Sequence, residues 1–309
     1  MVEFLLSITS PLLDVRLTTA GTFDDVMSKS QLEFKGYALV GQCLLAHHRQ
    51  SGFTLLLDPQ NFKNLKVVTF KPKNFEEDDV EIAITHCGVC GSDVHTLKQG
   101  WGESKLPLVV GHEVVGHATR VGSNVQGIKV GDRVGVGAQI ASCLQCRQCK
   151  DGFENYCPKQ VDTYVSCACI YHDSPADDLY CVHQNAEYPD GTVTQGGYST
   201  AIRANQQFVF PIPQEIESRD ACSMLCGGLT VFSPLKTNGA GPGKKVGIVG
   251  IGGLGHYAIL FAKALGAEVW AFTHSKDKME DAKQLGAHHI VDTTNKVSRH
   301  VSPKSPVDD

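Results

Sequence analysis

The six residues Gly250-Ile251-Gly252-Gly253-Leu254-Gly255 narrow the fold more than any other stretch of the chain. They follow an apolar run, Lys245-Val246-Gly247-Ile248-Val249, and lead into a helical pattern from His256 to Leu265. A second apolar run at Glu268 to Phe272, a helical pattern from Lys278 to Leu285 and a short strand pattern at His288 to Val291 come next. Strand and helix alternating in this way imply parallel strands joined by right-handed crossovers. In that setting G-x-G-x-x-G is a dinucleotide fingerprint: the glycines allow a tight turn and let the backbone approach a pyrophosphate, which the amides at the helix N-terminus stabilise. The cofactor-binding candidates are therefore Gly250, Gly252, Gly253, Leu254 and Gly255, against the simpler reading of a glycine turn that only packs helix on strand.

Just past the second strand, an NAD site places an Asp or Glu for the ribose hydroxyls. Here the chain reads Thr273-His274-Ser275-Lys276-Asp277-Lys278, with no acid at the strand end, which favours NADP. Thr273, His274, Ser275 and Lys278 are candidates for the 2'-phosphate; the alternative is an ordinary solvated helix entry.

The 309 residues carry 28 basic and 33 acidic side chains, a formal charge of -5, and 42% are hydrophobic. That is a globular composition of roughly two domains, and it lacks the basic footprint of a nucleic-acid binder. No stretch approaches the ~20 apolar residues of a membrane-spanning helix, and Phe4 to Ile8 is too short for a signal peptide, so the cytosol is the expected compartment.

Twelve cysteines are many for a reducing compartment, and their spacing decides what they do. Cys143, Cys146, Cys149 and Cys157 form a C-x2-C-x2-C-x7-C run. Short loops of this kind wrap four thiolates around one tetrahedral zinc, closed to water and substrate, which makes the metal structural. Disulfides and an iron-sulfur cluster fit the spacing and compartment less well.

Between these landmarks the chain has a β character. Asp79 to Thr85 alternates polar and apolar residues, as a half-buried strand does, and further strand patterns cover Leu108 to Val110, Val114 to Val121 and Arg133 to Val136. A second set of donors is Cys90, His112, Glu113 and Cys226, the first three of them just past strand patterns. Two thiolates and an imidazole can hold zinc with a fourth position open, and the neighbouring carboxylate can exchange onto the metal. Spacing alone does not select these four from all the cysteines and histidines.

The segments Cys87-Gly88-Val89-Cys90-Gly91-Ser92-Asp93, Gly111-His112-Glu113, the four-thiol run, Gln195-Gly196-Gly197-Tyr198, Leu225 to Val231 and the glycine turn occur in one order. In this order and content the chain resembles the zinc-dependent medium-chain alcohol dehydrogenases, closest to the cinnamyl alcohol dehydrogenase branch and its fungal NADP-dependent enzymes. The resemblance runs from about Asp79 to Asp292, with an echo at Leu32 to Val40. It implies an α/β chain: a GroES-like β-barrel catalytic domain over 31–226, then a partial Rossmann cofactor domain over 227–309. It assigns Cys90, His112 and Cys226 to catalytic zinc, leaving Cys87 without a metal role, and Glu113 to the acid beside the metal. Two cysteines and a histidine are the set known from catalytic zinc in alcohol dehydrogenase. Asp93 matches the carboxylate that orients the ligand histidine, and Ser92 and His95 match a proton relay. The implied reaction is zinc-assisted hydride transfer between NADP(H) and primary alcohols or aldehydes, aromatic or branched, with two zincs per chain and a homodimer as in the family.

Several stretches depart from that pattern. Residues 1–30 match nothing, and roughly 41–61 (with Cys43, His47 and His48) and 165–187 (with Cys167, Cys169, His172, Cys181 and His183) read as insertions where relatives have short connections. A second metal site in the latter is the alternative. A doubly wound sheet uses about six strands, whereas about three precede the polar tail Asn295 to Asp309, so the cofactor domain is expected to be incomplete. A catalytically impaired zinc- and nucleotide-binding fragment, or a zinc-lobe interaction module, is the competing functional expectation.

Overall fold

The computed structural model describes residues 34–39, 65–99, 101, 104, 106–164, 166–170, 180–184 and 186–294. Residues 1–33, the stretch 41–61 and the tail 295–309 lie outside the described residues. The chain divides into two compact units, Met1–Cys226 and Gly227–Asp309.

In the first unit the strands are β1 (Phe34–Leu39), β2 (Leu65–Phe70), β3 (Asp79–Cys87), β4 (Leu108–Val109), β5 (Val114–Val121), β6 (Arg133–Val136), β7 (Gln139–Ala141), β8 (Val161–Asp162), β9 (Ser166–Ile170), β10 (Tyr180–Gln184), β11 (Ala201–Asn205) and β12 (Phe210–Pro211). The central sheet is antiparallel in the order β11-β3-β5-β6-β12, flanked by the three-stranded sheet β2-β1-β4. Its core is β-branched: Val80, Ile82, Val114, Val134 and Val136 are fully buried. Each such side chain contributes about 1.5–3 kcal/mol by leaving water, and β-branched residues pack well on a pleated surface. Among the described residues the unit's α-helices are α1 (Gly91–Leu97), α2 (Arg147–Lys150) and α3 (Ser218–Ser223).

β3 corrects one sequence expectation. Its alternation suggests one wet face, yet Asp79 and Glu81 are as buried as Val80 and Ile82. The strand is central, paired on both sides, and its acids are matched inside the protein. Lys73 Nζ lies 2.6 Å from Asp79 Oδ2, and Arg203 lies 2.7 Å from Glu81 Oε2. A buried charge is tolerable only when paired in this way. The stretch 165–187 also holds regular structure, since β9 and β10 form an antiparallel ladder of their own.

The second unit follows the strand-helix alternation. β13 (Lys245–Val249), β14 (Glu268–Thr273) and β15 (His289–Asp292) form a parallel sheet in that order. Helices α4 (Leu229–Thr237), α5 (Gly253–Ala264) and α6 (Lys276–Leu285) accompany it. α5 begins three residues earlier than the apolar periodicity suggests, because the glycines of the turn themselves enter the helix. Ile248, Ala258, Ile259, Ala262, Val269 and Ala271 form a core separate from that of the first unit. No helix among the described residues is long and apolar enough to cross a membrane.

Candidate active site

Three backbone segments of the first unit bring one cluster of donors together. Cys90 is the N-cap of α1, whose third residue, Asp93, accepts a 2.9 Å hydrogen bond from the Cys90 amide in a capping-box arrangement. The cap fixes the Cys90 backbone at the start of the helix. His112 and Glu113 lie in the turn before β5, where Gly111 has φ +107°, a conformation that favours glycine. A Cβ on Gly111 would also stand 2.7 Å from the Tyr198 ring and 3.0 Å from Cys87 Sγ. Cys226 sits in a π-helical turn, Met224–Gly228, a geometry that recurs at functional sites.

The donor atoms of Cys90, His112, Glu113 and Cys226 all lie within 4.8 Å of one another. Cys90 Sγ and Cys226 Sγ are 3.9 Å apart, and His112 Nε2 is 3.1 Å from Cys226 Sγ. Two thiolates bound to one zinc at about 2.3 Å in tetrahedral geometry stand about 3.8 Å apart, so the spacing and the soft donor set both fit zinc. Glu113 is buried, with its carboxylate folded over Gly88, where a Cβ would stand 2.0 Å from Oε2. Cys87 is not among these donors; burial, reinforced by the Asp93 charge, pushes its thiol well up.

Asp93 organises the cluster. Its Oδ1 lies 3.0 Å from His112 Nδ1, which leaves Nε2 as the ligand nitrogen. Oδ1 also accepts from the Gly111 amide at 3.1 Å and the Tyr164 hydroxyl at 2.7 Å, and Oδ2 accepts from the Tyr198 hydroxyl at 3.0 Å. Burial alone would raise the Asp93 carboxyl, but His112, the Cys90 amide and Tyr164 together hold it below the usual carboxylate range. Burial likewise pulls the His112 imidazole down, and the bonds to Asp93 and Cys90 overcome it, pushing the ring up to about 10. The hydrogen bond from Cys226 brings the Cys90 thiol down to about 4, while the same contact pushes Cys226 up. A divalent metal entering this set displaces the shared protons.

Ser92 Oγ is 3.6 Å from Cys90 Sγ, within reach of anything bound at the cluster. His95 lies one turn further along α1, exposed, with its ring stacked on Trp101 at a centroid distance of 5.1 Å. Among the described residues no direct hydrogen bond joins Ser92 to His95.

The other thiol cluster is a compact lobe around α2. Cys143 Sγ lies 3.5 Å from Cys157 Sγ and 4.0 Å from Cys149 Sγ, and Cys146 Sγ lies 3.5 Å from Cys149 Sγ. Backbone amides aim at the sulfurs: Cys146 N donates to Cys143 Sγ at 3.4 Å, and Lys159 N donates to Cys157 Sγ at 3.3 Å. The amides of Gln145 and Cys146 bring Cys143 down to about 6. This set also fits a tetrahedral zinc, with every position taken by sulfur.

In the second unit Gly250 has φ +86°, and a Cβ on Gly255 would stand 2.1 Å from the Gly250 carbonyl oxygen. Those two glycines are required by the chain's own geometry. Gly252 and Gly253 are different, because a Cβ on either would meet no protein atom within 4 Å. Their open side is a cradle at the start of α5, suited to a phosphate group, and Leu254 beside them is half exposed. At the end of β14, Thr273 is buried and its hydroxyl accepts from the Ser275 amide at 3.2 Å. Ser275 is the N-cap of α6 without using its side chain as a cap, and His274 is exposed. Lys278 Nζ stands 3.6 Å from Asp281 Oδ2, a loose surface pair.

Sequence reasoning missed Tyr164 and Tyr198 as partners of Asp93. Tyr198 had a signal, since it ends the Gln195-Gly196-Gly197-Tyr198 segment. That segment pairs with the backbone of residues 109–111, with Gly196 N donating to Val109 O and Tyr198 N to Val110 O. Tyr164, just past β8, had none.

Residues 76–214 match the alcohol dehydrogenase GroES-like domain, and residues 253–304 match the zinc-binding dehydrogenase domain. The chain is 47% identical over 235 residues to NADP-dependent alcohol dehydrogenase 6 of Saccharomyces cerevisiae, covering 76% of this chain and 60% of that protein. It is 42% identical over 225 residues to cinnamyl alcohol dehydrogenase 2 of Rauvolfia serpentina, covering 72% of this chain and 57% of that one. Among solved structures, a Sorghum bicolor cinnamyl alcohol dehydrogenase superposes with a TM-score of 0.69 at 33% identity, over 86% of this chain and 66% of that one. The Helicobacter pylori cinnamyl alcohol dehydrogenase complexed with NADP(H) gives 0.67 at 31% identity, over 84% of this chain and 65% of that one. The chain thus spans less than two thirds of the length of these relatives. With both domain models matched in order and both thiol clusters formed, the chain belongs to the zinc-dependent medium-chain alcohol dehydrogenases, in their cinnamyl alcohol dehydrogenase branch.

Proposed function

We propose that this protein interconverts primary alcohols and aldehydes, aromatic or branched, with NADP(H), at a zinc held by Cys90, His112 and Cys226. The observation that carries the reading is the convergence of those three donors and Glu113 within 4.8 Å, with Asp93 holding the far nitrogen of the histidine. Bound there, zinc supplies a Lewis acid for the substrate oxygen, and the nicotinamide supplies or accepts the hydride.

The chain's own residues do the rest. Asp93 keeps His112 in the tautomer that offers Nε2, and the buried Glu113 waits beside the ligands as an exchangeable donor. Ser92 Oγ gives a proton to the nascent alkoxide or takes one from the alcohol, and the exposed imidazole of His95 connects that helix face with water. Cys143, Cys146, Cys149 and Cys157 hold a second zinc that fixes the lobe. The turn Gly250 to Gly255 receives the pyrophosphate, and the strand end at Thr273 to Lys278, which lacks an acid in the ribose position, selects the 2'-phosphate. The names of the yeast and Helicobacter pylori relatives support NADP(H) as the cofactor. The net charge of -5 supports small molecules over nucleic acid as partners. Family resemblance supports a cytosolic homodimer.

The test is NADPH-dependent reduction of an aromatic aldehyde by the purified chain, with zinc quantified in the same sample. Turnover with about two zincs per chain is the expected result. Zinc bound without turnover would replace catalysis by a zinc- and nucleotide-binding role.

A further inference from the structure

Asp93 carries more donors than the orientation of one histidine needs. Oδ1 takes the Gly111 amide, His112 Nδ1 and the Tyr164 hydroxyl, and Oδ2 takes the Cys90 amide and the Tyr198 hydroxyl. A carboxylate offers about four lone-pair sites, so these contacts saturate it and leave nothing with which Asp93 could itself bind a metal. Three of the donors belong to the ligands or to the residue beside one: the Cys90 amide, the His112 ring and the Gly111 amide. The two phenols come from elsewhere in the chain, Tyr164 just past β8 and Tyr198 from the segment that pairs with residues 109–111.

We infer that Tyr164 and Tyr198 are positioning residues of the catalytic metal site, which fix both oxygens of Asp93 and so set the angle at which His112 presents Nε2. This rests on the reading that Cys90, His112 and Cys226 hold zinc. Asp93 stands on a helix of only seven residues. With a single partner on each oxygen, its carboxylate could turn about the side-chain torsions and carry the His112 ring with it. The two phenols remove that freedom, because their rings are themselves immobilised. Tyr164 is buried among Leu97, Leu108 and Val110, and Tyr198 packs on the same group while pressing against Gly111. Each hydroxyl therefore acts as a fixed peg. Burial and the Asp93 charge push both phenols up, so they remain donors throughout the working pH range.

Replacement by phenylalanine keeps the ring and deletes the peg. The full chain carrying Tyr164→Phe, Tyr198→Phe or both is loaded with zinc or cobalt and challenged with a chromophoric chelator. The four-cysteine lobe in the same molecule serves as the internal control for folding. The expected result is metal affinity at the catalytic site weakened about 10-fold or more by each change, within the range seen when outer partners of ligand residues are removed, with lobe metal retained. The cobalt d–d bands of the catalytic site shift as the histidine tilts. Equal or tighter retention in both single variants and the double variant, with unchanged cobalt bands, overturns the inference. If a phenylalanine variant does not fold, the cobalt-loaded parent decides: hyperfine-shifted, slowly exchanging hydroxyl protons of two tyrosines support the inference, and their absence overturns it. A parent that takes metal at the lobe alone removes the active-site reading and this inference with it, a result distinct from a parent that binds at both sites and variants that match it.

Discussion

Gly252, Gly253 and Gly255 lie within four residues and do different work. Gly255 has the Gly250 carbonyl oxygen 2.1 Å from where a Cβ would be, so Gly255→Ala must move backbone. The expected cost is about 1–3 kcal/mol, the usual price of overpacking, seen as a lower Tm. Gly253 has open space on the same side, so Gly253→Ala is expected to leave stability within about 0.5 kcal/mol of the parent, with Tm nearly unchanged, while weakening NADPH binding. Thermal melts and a fluorescence titration on the two variants separate these outcomes; equal loss of Tm in both would sink the assignment of Gly253 to the cofactor. At the metal cluster, Cys226→Ala removes one of two thiol donors and leaves the lobe intact. Zinc content is expected to drop from about two to about one per chain, with aldehyde reduction abolished.

Among the elements, periodicity and punctuation made the second unit legible. β13, the glycine turn and β14 stand where apolar runs and glycines put them, because strand, turn and following helix are written in consecutive residues. β3 was misread for the opposite reason: the partners of Asp79 and Glu81, Lys73 and Arg203, are supplied by other segments, and a strand's own pattern does not show what lies across from it. The same limit hid Tyr164, whose role exists only because the chain returns past β8 to Asp93. The cysteine lobe was legible because all four donors are local. Its internal order yields a pH prediction. In the metal-free chain Cys143, brought down to about 6 by the amides of Gln145 and Cys146, is a thiolate at pH 7.5, whereas burial pushes Cys157 up to about 11. Alkylation at pH 7.5, located by mass spectrometry, is expected to label Cys143 well before Cys157. The sign for metal follows: binding displaces thiol protons, so lobe metal is expected to be lost as the pH falls.

At the scale of the whole molecule, both donor clusters lie in Met1–Cys226 and the glycine turn lies in Gly227–Asp309, and each unit has its own apolar core. Chelation is therefore expected to act unevenly. Hydrogen exchange after metal removal should rise in β5, β6 and the lobe around α2, while β13 and β14 keep their protection, since stability is distributed by cooperative unit. Uniform loss of protection along the chain would show that the units do not unfold separately. The division also bears on how such a chain can change over generations. The metal donors end at Cys226 and the nucleotide turn begins at Gly250, so a recombination junction placed after Gly228, beyond the π turn, exchanges one cradle for another without touching a single ligand. A chimera that joins these first 228 residues to a cofactor unit with an acid at the end of its second strand would inherit its metals from one parent and its nucleotide preference from the other.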